Sequence, residues 1–261
     1  MNENPAPLHG RRIVVTQAES QAESLLERLR ALGAEAASIP LIAIHPVADA
    51  TVILEAMERL RHHSGPTYAV FASANAVRLT GDAVGGTGVL TAYLAGVAVG
   101  AMGPETAAAL TMRGVVPAIT PAEFRAEAMA AALVERGVRG ARIWLPSAAG
   151  SRPVLATRLR EAGGLVDRLT LYRSLLPEAA AAQLAGELCQ GPVDAVAFTS
   201  GSTVHHFRQA LSGRPFPEGA VAACIGPVTA GVARRAGFPV GVVSSQATTA
   251  SLADALVAHY G

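Results

Sequence analysis

The chain has 261 residues, 51% of them hydrophobic and only 4% aromatic, with a formal charge of +1. That length suits two ordinary domains, and the near-neutral balance without a basic run excludes an electrostatic footprint for nucleic acid or an anionic membrane. All 21 basic residues are arginine, which removes Schiff-base chemistry, pyridoxal phosphate attachment and any lysine-bearing phosphate loop.

In chain order, the start MNENPAPLHGRR is polar and has no apolar core of a signal peptide, and no later apolar run is long enough to span a bilayer. A soluble, cytoplasmic protein is expected. Short runs rich in Val and Ile predict buried strands over residues 13–16, 68–72, 97–100, 143–146, 195–199, 221–225 and 240–243. Amphipathic stretches such as 22–32, 154–162 and 251–259 predict helices between them. Gly33, Gly114, Gly163, Gly164 and Gly237 stand where helices should end, and Ala179–Ala182 where one should begin. Gly85-Gly86-Thr87-Gly88 reads as a surface loop, since no strand directly precedes it and no lysine follows. Regular alternation of strand and helix predicts α/β architecture with parallel sheets.

The order of elements repeats. Arg11 to Ile44 reads strand, turn, helix, Gly-Ala, strand, and Ala141 to Ser174 reads the same; Phe71-Ala72-Ser73 with Gly103-Pro104-Glu105-Thr106 then matches Phe198-Thr199-Ser200 with Gly226-Pro227-Val228-Thr229. Taken alone, this repeat divides the chain near Gly140. Pro40, Pro46 and Pro177 mark the segments 39–47 and 169–177 as candidate crossings between domains, because proline suits edges and linkers.

Ligands of open α/β sheets bind outside the carboxyl ends of the strands. Here those ends lead into Thr16-Gln17, Ser73-Ala74-Asn75, Gly100 to Thr106, Ser147, Ser200 to Thr203 and Gly226 to Thr229. Hydroxyls at helix starts also serve as N-caps. Their accumulation on one edge, with free backbone N–H groups and positive helix ends, makes a surface for carboxylates or phosphates. Histidine, cysteine and aspartate are missing from these loops, and Glu105 reads as a residue that complements a helix dipole. Such a protein must bind a polyanion and let the substrate supply most of the reactivity.

Elsewhere the candidates are bland. The neighbours His62-His63 and His205-His206 point about 100° apart on a helix, so they read as surface residues rather than metal chelators. Cys189 and Cys224 lack metal-ligand spacing and read as reduced core thiols. Trp144 reads as core, and Tyr172, at a strand end beside a crossing, either packs or faces an interdomain cleft.

Together Phe71-Ala72-Ser73-Ala74-Asn75-Ala76-Val77, Val99-Gly100 with Thr106, Leu171-Tyr172-Arg173, Phe198-Thr199-Ser200-Gly201-Ser202 and Ile225-Gly226-Pro227-Val228-Thr229-Ala230 resemble the uroporphyrinogen-III synthase family in order and spacing. The resemblance runs along nearly the whole chain, up to Thr248-Thr249-Ala250-Ser251-Leu252. It implies two flavodoxin-like parallel-sheet domains, one discontinuous (1–40 with 176–261) and one inserted (47–169), joined by linker strands 41–46 and 170–175. The implied reaction is cyclisation of hydroxymethylbilane, a linear tetrapyrrole bearing acetate and propionate groups, with loss of water and inversion of ring D. No cofactor and no metal is implied, because the electron-rich pyrroles expel hydroxide themselves.

By motif position, Tyr172 corresponds to the family tyrosine proposed as general acid. Thr229 matches the second threonine of the family's Gly-Pro-Thr-Thr turn, whose first is Val228 here, so that only a backbone N–H is offered at that place. Ser73 and Ser202 match serines that line the cleft, and Asn75 stands where some members carry arginine. The expected substrate-binding set is Thr16, Ser73, Ala74, Asn75, Gly103, Thr106, Ser147, Ser200, Gly201, Ser202, Gly226, Val228 and Thr229. A monomer is implied, with transient contact to hydroxymethylbilane synthase as its one protein partner. A non-catalytic binder of an anionic small molecule that closes by hinge motion is the alternative. A nucleotide-dependent enzyme is disfavoured because no strand-GxGxxG-helix pattern occurs.

Overall fold

The structure, a computed structural model, describes residues 6–261; residues 1–5, the start of the polar segment read above, lie outside it. The chain forms two compact units, one built from the chain up to Ala43 together with Ser174–Gly261, the other from Ile44–Arg173.

In chain order the elements are β1 (Arg12–Val15), α1 (Glu19–Ala31), β2 (Glu35–Ser38), β3 (Ala43–Pro46), α2 (Ala50–Arg61), β4 (Thr67–Phe71), α3 (Ala74–Ala83), α4 (Thr87–Tyr93), β5 (Ala98–Ala101), α5 (Pro104–Thr111) and α6 (Ala126–Glu135). They continue with β6 (Arg142–Ala148), α7 (Val154–Glu161), β7 (Leu165–Leu175), α8 (Ala180–Cys189), β8 (Ala195–Phe198), α9 (Gly201–Ala210), β9 (Val221–Cys224), α10 (Pro227–Arg235), β10 (Val240–Val243) and α11 (Thr249–Tyr260). The loop expected over Gly85–Gly88 is only half a loop: Gly85 and Gly86 take positive φ and α4 starts at Thr87.

The first unit holds a sheet of order β10-β9-β8-β1-β2, and every pairing in it is parallel. Numbered within the unit, this is the doubly wound order 2-1-3-4-5 of flavodoxin-like folds. The second sheet reads β5-β4-β6-β7-β3, with parallel pairing from β5 through β7. Replacing β1 by β6, β2 by β7, β8 by β4 and β9 by β5 turns four strands of the first sheet into four of the second. That substitution is the sequence repeat itself. Each sheet therefore takes strands from both copies, and the division near Gly140 that the repeat alone implies falls inside the second unit, just before β6.

Apolar strands buried on both faces hold each unit together. In the first unit, Phe198, Phe207 and Phe238 pack on one face of the sheet, with Phe198 and Phe207 edge to face at 5.3 Å. Leu25, Leu29, Leu252 and Leu256 fill the other face. In the second unit, Phe71 meets Trp144 edge to face at 5.8 Å among Met57, Leu60, Leu90 and Leu110. Gly33 and Gly163 end the matching helices α1 and α7 with φ of +92° and +88°, a conformation that a Cβ disfavours.

One cysteine expectation needs correcting. Cys224 is buried as expected, but Cys189, the last residue of α8, is exposed. Burial pushes the Cys224 thiol up to about 11, so it stays protonated and inert at neutral pH. Titration with an aromatic disulfide reagent is therefore expected to find one fast thiol in the native protein and two after denaturation; two fast native thiols would contradict the buried position of Cys224.

Candidate functional site

In a doubly wound sheet the crevice for a ligand opens where the strand order reverses. That point lies between β1 and β8 in the first unit and between β4 and β6 in the second. Charged pairs gather at the opposite, amino ends, as with Arg11 and Asp194 at 2.9 Å and Arg142 and Asp167 at 2.7 Å. The carboxyl edges carry hydroxyls, amides and helix starts, with Glu105 and Arg168 among the charged groups beside them.

At the edge of the second sheet, the chain leaves β4 through Ser73, the N-cap of α3, whose Oγ accepts the Ala76 N–H at 3.2 Å. The same Oγ lies 2.9 Å from the phenol oxygen of Tyr172. A bulge positions that tyrosine. Ser147 pairs with Thr170 but Ala148 pairs with Tyr172, so β7 carries one residue more than β6 at this point. Leu171 thus turns its carbonyl to the Val47 N–H at 2.8 Å, and Tyr172 gives its own to Ala149 at 2.8 Å. As a result two consecutive buried residues, Leu171 and Tyr172, join the same core cluster, where regular pleating would send them to opposite faces of the sheet.

Tyr172 is 6% exposed, and burial drives its phenol above the ordinary tyrosine range; contacts with Ser73 and Asn75 pull the other way without cancelling this. The group is a phenol, never a phenolate, at neutral pH. Ser73, Ala74 and Asn75 are half-buried around it. Ser147 is partly occupied, since its hydroxyl donates to the Leu169 carbonyl at 3.3 Å and Arg168 reaches it at 3.4 Å. After β5, Gly103 caps α5 with no side-chain bond, Pro104 opens the helix and Thr106 is buried. Glu105 is exposed in that first turn, and desolvation nonetheless shifts its carboxyl upward, opposite to what the helix dipole alone would do.

At the edge of the first sheet, Ser200 and Thr203 form a reciprocal capping box at the start of α9. Gly201 lets α9 approach α10, since a Cβ there would stand 3.2 Å from Val232 Cγ2. Ser202 is exposed. After β9, Gly226 and Pro227 start α10, leaving Val228 63% exposed and Thr229 buried one residue deeper. Thr106, Thr203 and Thr229 all occupy the third helical position after their caps.

Two expectations change here. Thr16, expected to offer its hydroxyl to a ligand, is fully buried and donates to the Ala197 carbonyl at 2.7 Å, tying β1 to β8. His206 is not a simple surface residue, because its Nδ1 lies 2.6 Å from the Leu41 carbonyl, whereas the His62 side chain is 84% exposed. Gln17, next after Thr16, is absent from the expected binding set: it is 5% exposed, and among the described residues its Oε1 has no hydrogen-bond partner. The available signal is an amide directly following an apolar strand at the reversal of strand order. Among the described residues, no group of three or more His, Cys, Asp or Glu is placed to hold a metal ion, and no helix is long and apolar enough to cross a membrane.

Comparison with known proteins adds the lineage. A family model described as uroporphyrinogen-III synthase HemD matches residues 23–254. The porphyrin biosynthesis protein HemD of Ruminiclostridium josui is 28% identical over 96% of this chain and 49% of its own length. The uroporphyrinogen-III synthase of Synechococcus elongatus is 28% identical over 79% of this chain and 76% of its own. The chain thus spans about half the length of the first of these relatives. Among solved structures, a mutant uroporphyrinogen III synthase from the extremely thermophilic bacterium Thermus thermophilus superposes with a TM-score of 0.62 at 22% identity, covering 95% of this chain and 97% of that one. The uroporphyrinogen-III synthetase of Helicobacter pylori gives 0.62 at 17% identity over 95% and 99%. These two share the fold: an α/β chain with two predominantly parallel sheets. With the family model spanning most of the chain, the chain belongs to the uroporphyrinogen-III synthase family.

Proposed function

We propose that this protein cyclises hydroxymethylbilane to uroporphyrinogen III, inverting ring D and releasing water. The observation that carries the reading is the Ser73–Tyr172 pair at 2.9 Å, a protonated phenol beside the strand-order reversal of the second sheet. Membership of the family supports it.

The chemistry asks little of the protein. Electron-rich pyrrole pushes out the hydroxyl of the hydroxymethyl group to leave an azafulvenium, and Tyr172 donates its O–H proton so that the departing group is water. For that proton to face the substrate, Ser73 must be the donor in its bond to the phenol oxygen. It is free to be, because its oxygen simultaneously accepts from Ala76 N–H. The substituted carbon of ring D then attacks to give a spiro intermediate, its bond to the original methylene bridge breaks, the bridge rejoins at the free α carbon of ring D, and the proton lost there balances the one Tyr172 gave; holding the ends in that geometry supplies several kcal/mol of the barrier reduction. Carboxylates of the substrate are met by N–H groups of helix starts at Ser73 to Asn75, Gly103, Ser200 to Ser202, Gly226 and Val228 and by the hydroxyls of Ser200 and Ser202, with no cofactor or metal. In this reading the protein is a cytoplasmic monomer fed by transient contact with hydroxymethylbilane synthase.

Incubation of the purified protein with hydroxymethylbilane tests the proposal: type III product is expected, and type I alone at the spontaneous rate leaves the binder alternative standing in its place. Ser73→Ala is expected to do two things. Loss of the N-cap costs about 1 kcal/mol of stability, and loss of the bond to Tyr172 lowers kcat while KM stays near its original value. A melt together with steady-state kinetics checks both, and an unchanged kcat would remove Ser73 from the proton path.

A further inference from the structure

We infer that Gln17 is a positioning residue whose amide oxygen accepts a hydrogen bond from a pyrrole N–H of the bound tetrapyrrole, fixing one ring at the strand-order reversal of the first sheet. The inference rests on the function proposed above. Gln17 follows β1 directly, and β1 and β8 are the strands that flank the reversal. It is 5% exposed, yet Oε1 has no partner among the described residues. Its neighbours along this edge differ. Thr16 is bonded to the Ala197 carbonyl, Ser200 and Thr203 cap each other, and Ser244 donates to the Ile225 carbonyl at 2.7 Å with the Gln246 carbonyl 2.8 Å away.

An unpaired buried acceptor weakens the ligand-free protein, and a donor arriving with a ligand repays the loss. Apart from the hydroxymethyl group that Tyr172 protonates, the substrate has one class of donor suited to this. Its carboxylates only accept, whereas its pyrrole N–H groups only donate, so an amide oxygen selects the rings and not the side arms. Neutrality matters as well, since an acidic residue here would repel a polyanion. Contact requires Gln17 to exchange its buried rotamer for an outward one, a change that forfeits no hydrogen bond of Oε1. Directly beyond, α1 opens at Ala18, which makes no side-chain cap bond.

The test uses Gln17→Met, which keeps the length and removes the polar atoms. Expected are a higher melting temperature for the ligand-free variant together with a KM for hydroxymethylbilane raised roughly tenfold, equivalent to about 1.4 kcal/mol, and kcat little changed. A structural role moves both quantities the other way or leaves KM alone, and either result overturns the inference. Titration of the unsubstituted protein with uroporphyrinogen III, kept reduced, and its tetra-N-methyl derivative gives an independent reading that needs no variant. Preference for the N–H form of about tenfold is expected, vanishing in Gln17→Met. Equal binding of the two porphyrinogens by the unsubstituted protein overturns the role of Gln17 even if type III product forms. Absence of type III product with the preference intact sinks the proposed reaction instead.

Discussion

Tyr172→Phe is expected to slow formation of the type III isomer about a hundredfold, the lower end of what a positioned general acid contributes, with KM little altered. The low end follows from the substrate, whose own pyrrole electrons do the bond breaking. The small change in KM follows from the structure: the ring stays packed beside Leu171 and Trp144, and only the oxygen bonded to Ser73 is lost. An equal fall in kcat and in affinity for product would mean that the phenol binds rather than donates. The pH dependence has a defined sign. Burial raises the Tyr172 pKa above the ordinary tyrosine value of 10.0, so the acid form is complete below that pH and the activity is lost as pH rises through the higher folded value. The same displacement makes the tyrosine's contribution to stability fully present below the unfolded pKa and lost on passing the folded one. A basic limb in kcat near pH 8 would have to come from another group.

How much of this was legible in the sequence depends on distance along the chain. Strand and helix alternation is written locally, in runs such as Ile13-Val14-Val15 and Ala195-Val196-Ala197-Phe198, and the sheets contain those strands. Which strands share a sheet is not local. The repeat shows that β1 resembles β6, but nothing in the resemblance says that β1 pairs with β8 from the other copy. Proline marks the segments 39–47 and 169–177, and the units exchange chain at Ala43–Ile44 and Arg173–Ser174.

The site divides in the same way. Tyr172 and Ser73 each stand out in a motif, but the bond between residues 99 apart in sequence needs the sheet, and the bulge that brings Leu171 and Tyr172 into one core cluster breaks the alternation of faces a sequence reader relies on. Thr16 and Ser73 are alike on paper, each a hydroxyl at a strand end. Thr16 sits between central strands with a bare carbonyl beside it and is used up internally, whereas Ser73 heads a helix and keeps a capacity to donate. Gln17 stands at a strand end the sequence marks, but its missing partner has no sequence signature.

Trp144→Ala is the substitution expected to cost the fold most, about 3–5 kcal/mol. The indole is fully buried on β6, edge to face with Phe71, and touches a cluster that includes Leu171 and Tyr172. For a unit of this size the loss corresponds to a drop of roughly 10–15 °C in melting temperature. Trp144→Phe should cost far less, about 1–2 kcal/mol, because Nε1 has no hydrogen-bond partner among the described residues to lose and only ring volume is removed. Since the chain has one tryptophan, fluorescence of the unsubstituted protein reports the melting of the second unit alone, and calorimetry assigns the remaining heat to the first. The displaced transition in Trp144→Ala should be the one that fluorescence marks. Activity should fall with it at temperatures where the fold persists, because the cavity left under Tyr172 loosens the phenol from Ser73. If Trp144→Ala and Trp144→Phe proved equally costly, the indole N–H would have to hold a bond, and the packing account of this core would be wrong.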